Sequence, residues 1–375
     1  MRAQRLKKFC WWLAACSAAL ALAACGGGGG DSGTPAPANP SATAYALTSL
    51  VSDDNSATNP LRGAHADTHL VNGWGVAFNP AAFVWVSNAG SSTSTLYDGT
   101  GVPQSLVVAI PPGTAGPARP TGIVFNGNPT FKVTQNTVSG NSIFIFAGEA
   151  GTISGWSPSV NGTNAVTVVD DAASQAVYTG LAIATRGTSD FLYAADFHNG
   201  AVKVFDQNFA RVTSAGFSDP TLPAGYAPYG IQTIGSLIYV AYARQDVAAR
   251  NAVGGAGLGI VDTFDTAGTL VKRLISSGGA LNAPWGMAMA PANFGQFSNA
   301  LLVANAGDGK INAFDAATGA LLGTLSGAGG TAIAIDGLHG IAFGNDRNSQ
   351  PSNTLFFAAG PSGENHGVYG RIDSP

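Results

Sequence analysis

An all-β fold, a six-bladed β-propeller of four-stranded antiparallel blades, is predicted by three features of this 375-residue sequence. First, a glycine followed by alternating apolar residues recurs six times: Trp74-Gly75-Val76, Thr121-Gly122-Ile123, Thr179-Gly180-Leu181, Tyr229-Gly230-Ile231, Trp285-Gly286-Met287 and His339-Gly340-Ile341. The glycines lie 47, 58, 50, 56 and 54 residues apart, near the length of a propeller blade and beyond the periods of helical solenoids. Second, residues 281–327 spell out one blade, with short strands at 285–289, 300–305, 310–314 and 321–325. Third, the last repeat stops one strand short, with strands at 340–344, 354–359 and 368–372 only, while residues 45–52 read as a strand with no blade of its own. Pairing that strand onto the last blade closes the ring and removes an exposed edge.

In chain order, the first element is an address. Arg2, Arg5, Lys7 and Lys8 precede an apolar run from residue 9 to 24, which makes residues 1–24 an export signal. Its end, Leu22-Ala23-Ala24-Cys25, resembles the lipobox of bacterial lipoproteins, in which the cysteine is lipid-modified and becomes the mature N-terminus. That resemblance implies a membrane anchor at Cys25. Gly26 in place of aspartate after the cysteine implies the outer membrane, on its periplasmic or surface face. Residues 25–43, rich in Gly, Pro and Ala, form a flexible tether, and residues 44–375 form the propeller, expected as a monomer.

Composition narrows the function classes. Cys10 and Cys16 leave with the signal and Cys25 is consumed by lipid, so the mature body has no disulfide, cysteine metal site or cysteine nucleophile. Without the four basic residues of the signal, 13 Lys and Arg face 21 Asp and Glu, a net charge of −8. Phosphate binding needs a basic face, so nucleic acid is excluded as a partner. Charged residues are 10% of the chain and there are 51 glycines, the composition of many tight turns joining buried strands.

Four blades end their third strand in an aromatic followed by aspartate: Tyr97-Asp98, Phe205-Asp206, Phe264-Asp265 and Phe314-Asp315. Each aspartate is read as a turn residue accepting backbone N–H groups, because the position falls on outer hairpins away from the axis. Gly254-Gly255-Ala256-Gly257 lacks a P-loop lysine and a following helix, so it is not a phosphate loop. The absence of G-x-S-x-G leaves no serine elbow.

The glycine phrases, the aromatic-aspartate turns and the lead-in Leu70-Val71-Asn72-Gly73-Trp74-Gly75 resemble the NHL and SMP-30-like six-bladed propellers. More narrowly, they resemble a group of exported bacterial propeller lipoproteins of unassigned activity. The likeness extends from residue 45 to the C-terminus and rests on phrases that specify blades rather than chemistry.

In a meander, the start of the first strand and the end of the second reach the same face, which is therefore the candidate site. The starts supply Trp74, Thr121, Thr179, Tyr229, Trp285 and His339 as a channel-mouth binding set; the ends supply Asn88, Glu149, Asp196, Asn305 and Arg244. The SMP-30-like resemblance implies Ca2+ or another divalent cation held by Asn88, Glu149, Asp196 and Asn305 in a lactonase-like site. Trp74 stands where those enzymes place a glutamate. A quinone-dependent redox site would need a histidine with basic neighbours, for which the mouth offers His339 and Arg244.

Two other clusters are weighed. His65, Asp67 and His69 would share one side of an extended segment and could ligate zinc, but they fall in a lead-in loop and are read as turn and cap residues. Glu364-Asn365-His366 is read as a hairpin tip. The function these observations favour is a lipid-anchored exported platform that binds a small ligand or a protein partner without covalent chemistry. The alternative is a metal-assisted hydrolase or lactonase.

Overall fold

The computed structural model describes residues 44–213 and 216–375. The expected signal at residues 1–24, the expected lipidation site Cys25 and the expected tether at 25–43 lie outside the described residues.

Six small antiparallel sheets form a ring. Their innermost strands are Gly73–Phe78, Pro120–Phe125, Tyr178–Arg186, Tyr226–Ile234, Pro284–Met289 and Leu338–Phe343. Each packs beside the next, and the sixth packs beside the first. This is a six-bladed β-propeller. In the fifth blade the strands are Pro284–Met289, Leu301–Asn305, Ile311–Phe314 and Leu321–Thr324, within a residue or two of the sequence expectation. The last blade runs Leu338–Phe343, Thr354–Ala359 and Val368–Asp373, and Ala46–Ser52 pairs antiparallel with the last of these, Val51 opposite Tyr369. The second blade carries an extra hairpin, Lys132–Gln135 with Val138–Asn141, which the repeat pattern does not announce.

The repeated glycine has one physical cause. A Cβ at Gly230 would run into the carbonyl oxygen of Trp285, one at Gly286 into that of His339, and one at Gly340 into that of Trp74. Each points at the residue before the next blade's glycine, so the inner strands approach one another backbone to backbone around the axis. Only glycine allows that approach. The axial space left among them is about 20 Å³, room for a water molecule rather than a ligand.

Outward, the core divides by blade interface. Trp85 stacks on Phe144 between the first two blades, with ring centroids 4.1 Å apart, and Tyr97 stacks on Tyr369 between the sixth and first at 5.0 Å. Alternation along each strand sends one set of apolar side chains into each neighbouring interface, and burying one such ring contributes about 2 kcal/mol.

The aromatic-aspartate turns follow the sequence reading. Asp98 Oδ1 accepts the N–H groups of Thr100 and Val102, and Asp206, Asp265 and Asp315 repeat the pattern. Backbone N–H groups hold the Asp265 carboxyl below its usual range, and the Thr318 hydroxyl and N–H do the same for Asp315. Among the described residues no helix is long and apolar enough to cross a membrane.

Candidate functional site

Four of the six expected mouth residues meet in one aromatic plug. The Trp74 indole lies flat on the His339 imidazole, with centroids 3.8 Å apart and planes 13° apart. It meets Trp285 edge-on at 5.6 Å and Tyr229 at 5.9 Å, while Tyr229 leans on Phe197 at 5.2 Å. Such stacked and edge-to-face pairs contribute about 1 kcal/mol each beyond burial. Trp74 is 2% exposed, so the expected open, aromatic-lined mouth is filled by its own side chains. Burial pushes the His339 pKa down to about 3, which keeps the ring neutral.

The Thr121 and Thr179 side chains do not join the plug. Their buried hydroxyls donate across blade boundaries, Thr121 to the Tyr178 carbonyl and Thr179 to the Tyr229 carbonyl, each at 2.8 Å. The Trp285 indole N–H donates in turn to the Thr179 carbonyl at 2.7 Å. These residues lock blades together, a role that the sequence, which assigned them to binding, did not reveal.

Each of the four expected metal ligands makes its hydrogen bonds within its own blade. Asn88 Nδ2 donates to the Thr93 and Thr95 hydroxyls. Glu149 Oε2 accepts from Arg119 Nε. Asp196 accepts the Val177 and Asn199 N–H groups and the Asn199 side-chain amide, with Lys203 Nζ at 3.6 Å. Asn305 Nδ2 donates to the Ala280 carbonyl and to Asp308. The Oδ1 atoms of Asn88 and Asn305 are buried without partners. Among the described residues no group of three or more His, Cys, Asp or Glu is placed to hold a metal ion. Arg244 is exposed, paired by backbone with Tyr226 and Val253.

In the lead-in cluster, Asp67 Oδ2 accepts the Tyr97 hydroxyl at 2.9 Å and Asp67 Oδ1 sits 3.0 Å from His69 Nδ1, while His65 belongs to a two-residue strand beside Val51. The side chains of Asp67 and His69 brace this segment, in keeping with the turn and cap reading.

What sequence reasoning missed sits above the plug. Asn72 accepts the Trp74 indole N–H at 2.9 Å through Oδ1, and its Nδ2 donates to Glu364 Oε2 at 2.9 Å. Arg119, bonded to Glu149, also places Nη2 3.7 Å from Glu364 Oε2. Glu364 therefore belongs to the mouth. It sits on a turn in which Ser362 and Glu364 both have left-handed backbone, φ 59° and 68°, and Asp336 Oδ2 holds that turn through the Ser362 N–H at 2.8 Å. Strained backbone of this kind persists only where surrounding contacts over-determine it. Burial and the nearby Glu149 charge raise the Glu364 pKa, against Asn72 and Arg119, which lower it. One signal was readable in advance: Asn72 and Arg119 each stand three residues before a blade glycine.

Over the plug lies a cavity of about 220 Å³, walled by Asp336 and Glu364 with Tyr229 and His339 among its lining residues. A second, of about 250 Å³, lies beside Arg119, Glu149 and Arg250.

The fold defines the class: a six-bladed β-propeller. Among solved structures, a protein of unknown function from Bacteroides thetaiotaomicron VPI-5482 superposes with a TM-score of 0.55 at 11% identity, covering 88% of this chain and 76% of that one. A streptogramin B lyase structure superposes at 0.50 with 12% identity, covering 89% of this chain and 99% of that one. At such identities the likeness shows the fold alone. No family model matches the sequence. The chain belongs to the family of uncharacterized protein R648 of Acanthamoeba polyphaga mimivirus, to which it is 33% identical over 317 residues, 83% of this chain and 77% of that protein.

Proposed function

We propose that this chain is a lipid-anchored, exported propeller that binds a small ligand or a protein partner at its mouth without covalent chemistry. The observation that carries the reading is the 220 Å³ cavity over a closed aromatic plug, whose lining brings together two carboxylates, Asp336 and Glu364, and the Tyr229 side chain. Small concave sites with a few convergent polar groups are the form that ligand recognition takes. Anchoring rests on the lipobox-like end at Cys25. Cys25→Ser is expected to move the protein from the membrane fraction to the soluble fraction, because one residue would carry all the lipid; unchanged pelleting would overturn the anchor.

A second reading, a metal-assisted hydrolase or lactonase, is favoured by the unpartnered Asn88 and Asn305 oxygens at two expected ligand positions. Thermal melting with added Ca2+ or with chelator separates the two. A resident ion at a hundredfold excess over its Kd would stabilise the domain by about 2.7 kcal/mol. The binding-platform reading expects no metal-dependent shift. A chelator-sensitive rise that disappears in Glu149→Gln and Asp196→Asn would replace it with the hydrolase.

A further inference from the structure

We propose that the cavity above the plug is a site for a ligand that presents an ammonium group; this rests on the binding-platform reading and names its ligand class. The sign of the charge comes first. Two carboxylates, Asp336 and Glu364, line the cavity, and no lysine or arginine does. The nearest cation on the mouth, Arg119, is bonded to Glu149 and lies 3.7 Å from the one Glu364 oxygen that already accepts from Asn72. Asp336 spends Oδ2 on the Ser362 N–H in the same way. Asp336 Oδ1 and Glu364 Oε1 thus have no protein partner among the described residues, and an ammonium group supplies three donors for them.

A second observation is independent of the carboxylates. Tyr229 is 6% exposed and lines the cavity, and its hydroxyl makes no hydrogen bond among the described residues. His339, 2% exposed, lines the cavity too, and its Nδ1 is buried without a partner. Buried polar groups in native proteins are satisfied by protein, water or ligand. The Tyr229 hydroxyl is placed to accept from or donate to the polar end of a ligand, while the shielded His339 ring belongs to the floor, and the Tyr229 ring adds an aromatic wall of the kind that attracts organic cations.

Size and geometry separate an ammonium from a metal ion. A hard divalent ion needs six to eight oxygens close around it, roughly, and two carboxylates on separate loops do not supply them. The rest of the lining is glycine and alanine, including Ala252, Ala283, Ala306 and Gly307, so no long side chain competes for the space. Burial and Glu149 raise the Glu364 pKa, and an incoming cation relieves that crowding.

The test is calorimetric titration of the full propeller with 1,4-diaminobutane, with N-acetyl-lysine amide to represent a lysine side chain, and with 1-butanol and butyrate as neutral and anionic controls. Both ammonium probes, or diaminobutane alone if the site takes a free amine, are expected to bind, and the controls are not. Glu364→Gln and Asp336→Asn keep shape and turn hydrogen bonds and should each weaken binding by roughly tenfold, the loss of one charge-assisted hydrogen bond. Their melting transitions should remain cooperative and close to the parent. Tyr229→Phe should cost less than either. Binding of butanol as tight as that of the amine, ammonium affinity unchanged in both carboxamide variants, or no binding of either ammonium probe to the parent would each overturn the proposal. A negative result here without any metal response leaves the binding platform standing with another ligand class, whereas a chelator-sensitive metal response dependent on Glu149 removes the platform itself.

Discussion

The two ends of the central channel are made by the same six inner strands and are chemically opposite. At one end Trp74, Tyr229, Trp285 and His339 close the channel, and Arg119, Glu149, Asp336 and Glu364 gather above them. At the other end a cavity of about 270 Å³ is lined by Val76, Ile234, Met287, Met289, Ile341 and Phe343 and their neighbours, with no charged residue among them. The apolar end is lined by the strands themselves, whose alternation every blade repeats. At the charged end, Arg119, Glu149 and Asp336 flank strand termini and Glu364 sits on the connection between two strands, and each blade has its own version. Repetition therefore specifies the scaffold, and the departures from repetition specify the site.

The comparison breaks most visibly if the plug is removed. Trp74→Ala should cost about 4 kcal/mol in chemical denaturation, the usual toll for a buried indole, and should weaken amine binding as well. Ile341→Ala at the other end should cost about 3 kcal/mol and leave ligand binding untouched. Equal effects of both variants on binding would show that the two ends are not functionally distinct.

A change common to both ends comes next. Gly286→Ala inserts a methyl group against the His339 carbonyl and should destabilise the ring by about 3 kcal/mol through overpacking. A denaturation midpoint equal to the parent's would refute the backbone-to-backbone account of the glycine repeat.

The smallest effect is in pH, and two buried groups pull in opposite directions. His339 has a folded pKa of about 3 against 6.5 for the free side chain, so between those values the unfolded chain binds a proton that the native state refuses. Its contribution falls as the pH falls, by roughly 2 kcal/mol from pH 6.5 to 5. Asp262, in the fourth blade, is pushed up to about 7 from 3.8 by burial and by the Asp219 charge, with Arg273 opposing. Over the same window the native state holds the Asp262 proton and the unfolded chain does not, so its contribution rises as the pH falls. His339→Phe, which keeps a flat ring against Trp74, should make the protein more acid-tolerant, and Asp262→Asn should make it less so. Melting curves of the two variants with the same pH slope as the parent would show that neither group titrates as described.

Much of the fold could be read from local pattern. The strands Pro284–Met289 and Thr354–Ala359 and the turn roles of Asp98 and Asp315 need only neighbours a few residues away, and alternation or an Asx side chain records them directly. The site was legible in part: Tyr229, Trp285 and His339 reach the mouth as register alone implies. Glu364 lies, as read, at the tip of the hairpin joining Thr354–Ala359 to Val368–Asp373, but its place at the mouth was not legible because its partners are remote, Asn72 lying 292 residues away and Arg119 in another blade. Thr121 and Thr179 were assigned to binding because sequence position shows which end of a strand a hydroxyl occupies, not which carbonyl it will find across a blade boundary.

By itself, the sequence determined the number of blades, their four-stranded plan and the glycine at each inner strand, because a repeat that must bury both faces against copies of itself carries its packing rule in every copy. Only the tertiary structure decided that the aromatic mouth is plugged, that Asn88, Glu149, Asp196 and Asn305 each make their hydrogen bonds within their own blade, and that Asp336 and Glu364 line one cavity with Tyr229. Those outcomes depend on how far six rings and several loops reach once the circle is closed, and that distance is a property of the closed circle rather than of any one blade.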